Sequence, residues 1–236
     1  MKLTIIQTGE VPEPLRERFD PYPVMFRRMF EATDGGFSYE TVPVVSGAPL
    51  PDPSALEGIV ITGSSAGVYD DYAWLEPLRA FIRKAYAHDT PLLGICFGHQ
   101  IIADALGGDV RKSEKGWGLG RHTYGVEARP NYMASAPASL AVACSHQDQV
   151  ISPPASARVI LASEFTPNAG LAYANGAALS FQPHPEFEDN YALALAELRR
   201  GRAPDAVVDT AIASIRGDSN RRDMATYIAD FFNGRE

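Results

Sequence analysis

Cysteine is scarce in this chain of 236 residues, with only Cys96 and Cys144 present. Two thiols cannot build the disulfide framework that holds small secreted domains together, so an apolar core must supply the stability. Positive charge is also in deficit: 21 Lys and Arg stand against 29 Asp and Glu, a net charge of −8. Phosphate backbones are bound by basic surfaces, which argues against nucleic acid as the main partner. Long hydrophobic runs are missing as well. No stretch approaches the ~20 apolar residues of a membrane-spanning helix, and the opening MKLTIIQTGEVP has too short an apolar run for a signal peptide. The expectation is a soluble cytoplasmic protein with no membrane partner. Internal repeats, low-complexity segments and composition shifts that would mark a domain boundary are absent too.

What is there is ordinary for a folded protein, with 45% hydrophobic residues and 21% charged. In the first half, buried-type strands alternate with helical patterns. Strands are expected over Lys2 to Thr8, Ser38 to Val45, Gly58 to Ile61 and Leu92 to Ile95. A weak helix is expected over Pro23 to Glu31. Another carries Leu75, Leu78, Ile82 and Ala85 on one face, and a third carries Ile101, Ile102, Ala105 and Leu106 and stops at Gly107-Gly108. Such alternation predicts an α/β fold with three layers, a mainly parallel central sheet flanked by helices.

The second half reads as strand-rich, with strands at Thr123 to Ala128, Leu140 to Ser145 and Arg158 to Ser163. Leu171 to Ala174 and Ala177 to Gln182 flank Asn175-Gly176, a hairpin signal because Asn-Gly accepts positive φ at both turn positions. Past residue 188 the pattern turns helical: one helix capped at Asp189 or Asn190, one opened by Pro204, and one holding Met224, Tyr227, Ile228 and Phe231. The arginines here alternate with acids and read as solvated helix faces. Asp70 and Asp71 read as caps of the helix that follows them. His88 and His122 read as surface residues, and His146 and Cys144 as structural ones. The segment Arg111 to Arg121, RKSEKGWGLGR, reads as a solvated loop, with a flexible active-site rim at Trp117 as the lesser alternative.

Chemistry concentrates at Gly94-Ile95-Cys96-Phe97-Gly98-His99-Gln100, where a buried strand meets a helix. Small residues two positions either side of Cys96 suit a tight strand-to-helix turn that lifts a nucleophile above the sheet edge. The start of a helix favours a thiolate, and its free N–H groups point where an oxyanion would form. A cysteine nucleophile needs a base, and the base an orienter. In Phe181-Gln182-Pro183-His184-Pro185-Glu186-Phe187 the prolines favour extended chain, so His184 and Glu186 project together. Cys96 and His99 lie one turn apart, but no second ligand pair has matching spacing, so no metal is expected.

GICFGHQ and FQPHPEF together, with VITGSSAGVYDD and SHQDQV in the same order, resemble the class I glutamine amidotransferase family, especially its free-standing, GMP-synthase-like members. The resemblance spans about residues 1–190, taken as the catalytic domain; residues 191–236 form a helical extension packed on it. It implies a flavodoxin-like sheet and a Cys96–His184–Glu186 triad. The backbone N–H groups of Ser64 and Phe97 become the oxyanion hole, and Gly63, Gln100, Ser145, Gln147 and Asp148 bind substrate. Many relatives carry Gly-Gly-Pro where this chain has Gly63-Ser64-Ser65, a change that keeps the backbone N–H. The implied reaction is hydrolysis of the glutamine side-chain amide through a thioester, without cofactor, with ammonia passing to a separate synthetase. A γ-glutamyl peptidase acting on γ-glutamyl compounds is the alternative on the same three residues.

Overall fold

Alternate residues of each central strand face opposite layers, and both layers are apolar. Leu3 and Ile5, Val60, Leu93 and Ile95, and Leu179 and Phe181 enter one core cluster; Ile6, Ile59 and Ile61, Leu92, and Ala178 enter the other. A strand buried on both faces reads as an unbroken apolar run, which is why these segments were the most legible. The computed structural model describes residues 1–234.

Along the chain the elements are β1 (Lys2–Ile6), α1 (Tyr22–Glu31), β2 (Ser38–Val42), β3 (Gly58–Ile61), α2 (Leu75–Ala87), β4 (Leu92–Ile95) and α3 (Phe97–Ala105). There follow β5 (Asp109–Lys112), β6 (Gly118–Val126), β7 (Ser139–His146), β8 (Asp148–Ser152), β9 (Ala157–Ala162), β10 (Gly170–Tyr173) and β11 (Ala178–Phe181). Three helices complete the described residues: α4 (Asp189–Glu197), α5 (Asp205–Ile215) and α6 (Arg221–Phe232). The main sheet has the order β2-β1-β3-β4-β11-β10-β9-β6-β7, parallel from β2 to β11 and antiparallel beyond; β5 and β8 pair separately. The α/β, mainly parallel architecture with a strand-rich second half is therefore as expected.

Phe26 and Phe30 of α1 share a cluster with Met224, Ile228, Phe231 and Phe232 of α6 on one face of the sheet. Leu78 and Ile82 of α2 pack with Ile101 and Ile102 of α3 on the other. A third cluster joins Tyr191 and Leu195 of α4, Val208 and Ile215 of α5, and Tyr22 of α1. No helix among the described residues is long and apolar enough to cross a membrane.

Several local expectations are corrected. Only Gly176 of the Asn175-Gly176 pair has positive φ, +72°, and its N–H donates to Tyr173 O across a longer four-residue connection. Asn175 instead spends its side chain on Ala177 N–H and Tyr86 O. Asp70 caps no helix: it accepts from Gly67 N–H at 2.8 Å and closes the turn in which it lies, whereas the residue preceding α2 is Trp74. The residue before the helix at 189 is Glu188, one position before Asp189, and its side chain makes no cap hydrogen bond. The segment 111–121 is a loop only over 113–117, because β5 ends at Lys112 and β6 begins at Gly118. His122 is half-buried edge-on to Phe165, at 5.2 Å between ring centroids.

The β4–α3 junction tolerates no side chain at two positions. A Cβ on Gly94 would lie 2.4 Å from Gly98 O, and one on Gly98 would lie 2.3 Å from Ile61 O of β3. Both obstacles are backbone and cannot swing aside. Gly98→Ala is therefore expected to cost about 1–3 kcal/mol of stability, the usual range for overpacking. A lowered midpoint in thermal or urea unfolding, relative to wild type, checks this.

Candidate active site

Cys96 sits at the N-terminus of α3 with φ +54° and ψ −105°, one of two non-glycine residues with positive φ among the described residues. Such a conformation costs on the order of 1–3 kcal/mol and persists only where its surroundings impose it. Here the surroundings are the Gly94, Gly98 and Ile61 contacts, the Cys96 N–H to Phe181 O bond at 2.8 Å, and Gln100 N–H to Cys96 O at 3.0 Å. The side chain is buried to 5% exposure yet lines an open cleft of about 600 Å³.

His184 follows β11, held by its N–H to Ala143 O of β7 at 2.8 Å. Its Nδ1 meets Glu186 Oε1 at 2.7 Å, and the imidazole is within hydrogen-bonding reach of the Cys96 thiol. Phe187 stacks flat on the ring, 3.9 Å between centroids and 6° from parallel, which fixes its plane. Burial works against a charged imidazole here. The Glu186 carboxylate and the Cys96 sulfur outweigh it and raise the His184 pKa to about 10. Glu186 Oε2 has no partner among the described residues, and its carboxylate borders a second cavity of about 370 Å³ between α1, α4 and α6.

The turn after β3 closes the opposite wall. A Cβ on Gly63 would lie 3.0 Å from His184 Cε1 and 3.7 Å from Cys96 Cβ, so only a bare backbone passes there. Thr8 Oγ1 donates to Thr62 O at 2.9 Å and ties this turn to the end of β1. Gly63, Ser64 and Ser145 line the cleft with Cys96 and His184. The Phe97 N–H is the first of its helix and has no acceptor one turn back.

The other expected substrate contacts are not brought to the cleft wall. Gln100 is buried, and its amide donates to Asp148 O at 2.8 Å and Gln182 Oε1 at 3.1 Å, so it ties α3 to β8 and β11. Asp148 accepts from Tyr69 O–H at 2.8 Å, and burial raises its carboxyl pKa. Gln147 O accepts from Ser113 N–H at 2.9 Å. His146 and His99 are buried neutral, each lowered to about 3 by burial, on Asp148 O and Ser180 Oγ respectively. Burial pushes the Cys144 thiol up to about 12, in keeping with an inert residue.

Sequence reasoning passed over Phe187, although it stands three residues past His184 in the same motif. Arg199 is a correction: it is no solvated helix residue but lines the cleft, its Cζ 4.6 Å from the centroid of the Trp117 ring. Trp117 is accordingly anchored, not flexible, and its Nε1–H donates to Arg202 O at 3.2 Å. A signal existed. Arg200 has Glu197 one turn back, whereas Arg199 has only Leu195, Ala196, Arg202 and Ala203 at helical spacing.

Comparison with known proteins matches residues 34–192 to the family described as glutamine amidotransferase class-I. Gamma-glutamyl peptidase 4 of Arabidopsis thaliana is 35% identical over 162 residues, 65% of this chain and 64% of that protein. The chain thus spans just under two thirds of the length of this curated relative. The glutamine-hydrolysing GMP synthase of Thermus thermophilus is 30% identical over 173 residues, 68% of this chain and 32% of that one. A glutamine amidotransferase structure from Thermotoga maritima superposes with a TM-score of 0.77 at 19% identity, covering 100% of this chain and 97% of the other, which speaks for the fold alone.

The raised His184 pKa has a pH consequence. The native pocket holds the imidazole proton more tightly than the unfolded chain does, so the stability it adds is full below pH ~6.5 and is lost as pH rises through the native value. Glu186→Gln removes the main source of the rise. The His184 midpoint followed by NMR should fall from near 10 toward ~6.5, and the stability difference from wild type should shrink at high pH.

Proposed function

Because the chain belongs to the class I glutamine amidotransferase family, we propose that it is a cysteine amidohydrolase that cleaves the side-chain amide of a γ-glutamyl group through a thioester. The observation that carries this reading is a cysteine in a strained elbow, in reach of a histidine that a carboxylate holds at 2.7 Å. The tight β4–α3 junction imposes that strain, and a strained strand-to-helix turn is what presents a nucleophile above the sheet edge.

In the proposed cycle the Cys96 sulfur attacks the γ-carbonyl carbon, and the backbone N–H groups of Ser64 and Phe97 receive the oxyanion. His184, protonated on the nitrogen opposite Glu186, gives that proton to the leaving nitrogen as the C–N bond breaks. Water then enters, His184 takes its proton, and hydroxide attack on the thioester releases glutamate and restores the sulfur. Glu186 and Phe187 keep the imidazole in place through both transfers. Proton transfer by a positioned group contributes typically ~10²–10⁴ in rate, and one oxyanion donor roughly 10²–10³. Gly63 and Ser145 border the glutamyl end, while Gln100, Gln147 and Asp148 shape that end from behind.

A γ-glutamyl peptide is the substrate class favoured here. The cleft of about 600 Å³ is lined by Trp74, Leu198 and Arg202 as well as by Cys96 and His184, a volume that has space for a leaving group larger than ammonia. The similarity to the plant γ-glutamyl peptidase points the same way. A second reading, hydrolysis of glutamine with ammonia passed to a separate synthetase, draws on the similarity to the GMP synthase. Comparing kcat/KM for γ-glutamyl dipeptides and for glutamine decides between them. A preference of tenfold or more for the dipeptides, about 1.4 kcal/mol of transition-state binding, is expected. Cys96→Ala should abolish both activities, and residual turnover in that variant would overturn the proposed nucleophile.

A further inference from the structure

At the C-terminal end of α4 the chain reads Leu198-Arg199-Arg200-Gly201-Arg202, and its three arginines have unlike surroundings. Arg200 points to solvent and is saturated, meeting Glu197 and Asp209 at 2.7 Å each and Asp205 at 3.8 Å. Arg199 and Arg202 both line the cleft that holds Cys96, and neither has a carboxylate within ion-pair distance among the described residues. The cleft's other arginine, Arg16, is already taken by Glu10 at 2.7 Å and Val11 O at 2.8 Å.

Arg199 is held as if for planar recognition. Its guanidinium lies over the Trp117 ring, its Nη2 reaches Ser145 Oγ at 3.5 Å, and its buried Nε has no acceptor among the described residues. Burial lowers its pKa, and the Arg202 charge adds to that, so the pair repel one another with no anion between them. Two like charges facing an open cleft, one with an unused buried donor, are stabilised by an anion arriving from solvent. A carboxylate is the anion that a γ-glutamyl amide brings. Stacking on Trp117 leaves the edge of the guanidinium free for a two-point contact.

We infer that Arg199 and Arg202 form a carboxylate-binding subsite beside Cys96, which makes the enzyme selective for acidic substrates. The inference rests on the γ-glutamyl reading for the identity of the substrate but not for the existence of the site. A γ-glutamyl dipeptide offers two carboxylates, the α-carboxylate of the glutamyl group and the terminal one of the leaving group.

Alkylation of Cys96 reads the subsite without any turnover. The probes are iodoacetate, which carries a carboxylate, and neutral iodoacetamide, which normalises for thiol reactivity within each variant. In Arg199→Gln and in Arg202→Gln, the second at an exposed position, the iodoacetate-to-iodoacetamide rate ratio should fall severalfold. Turnover then identifies the carboxylate, using γ-glutamylglycine, its C-terminal amide and its α-amide. KM for γ-glutamylglycine should rise about tenfold or more in each variant, the worth of one charged hydrogen bond, with a smaller change in kcat. If that penalty disappears for the C-terminal amide, the subsite takes the leaving group; if it disappears for the α-amide, it takes the glutamyl end. An unchanged alkylation ratio in both variants overturns the inference, as does an equal penalty on all three substrates. A fallen ratio in a protein that cleaves no γ-glutamyl amide upholds the subsite and instead rejects the proposed function.

Discussion

One backbone contact governs this molecule: the passage of α3 across β3 at Gly98 and Ile61. The two backbones approach so closely that no Cβ fits between them. That approach forces β4 to turn into α3 within a single residue, and Cys96 absorbs the turn at a φ of +54°. Everything proposed for the site follows from this placement. A relaxed junction would lower the sulfur into the layer between sheet and helix; the tight one presents it at the sheet's carboxyl edge, where β3 and β11 also deliver Gly63 and His184. The energy stored in the turn is small beside the apolar burial on both faces of the sheet, which is why the fold can sustain it.

The parts legible in the sequence are those whose cause is local. Apolar runs at β1, β3, β4 and β11 announce strands covered on both sides, and Gly94 and Gly98 announce a turn. His184 and Glu186 do come together, but by a bend and a turn over residues 182–186, with Phe187 N–H on His184 O at 3.3 Å, and not by the extended chain expected of the prolines. The parts that were not legible have distant causes. β5 and β8 are polar, short and paired with each other across almost forty residues, so neither shows alternation. β6 begins inside a glycine-rich stretch because its partner β7 provides the ladder. Gln100 faces α3's neighbours instead of the cleft, since Gln182 and Asp148 O satisfy its donors. Asp70 was misread because an acid before a helix and an acid closing its own turn look alike in one dimension.

Electrostatics distinguish two groups at the cleft. Cys96 and His184 line it, with Glu186 behind them on the imidazole. Arg199 and Arg202 line it too, with no carboxylate within ion-pair distance among the described residues. An acidic chain, at net −8, thus keeps two cations without a carboxylate partner among the described residues at the cleft that holds its proposed nucleophile. Field lines converge on such a spot, so it draws anions despite the overall charge of the surface.

The position of α6 bears on how the chain becomes folded. Its Met224, Ile228, Phe231 and Phe232 complete the same layer as Leu3, Ile5, Phe26 and Phe30, residues more than 190 positions earlier. During synthesis the first strands therefore emerge long before the helix that shields them, and one face of the nascent sheet stays greasy until α6 is made. Such high sequence separation slows folding and prolongs exposure to aggregation. An apolar face that waits for its cover is thus built into the order in which this layer is assembled.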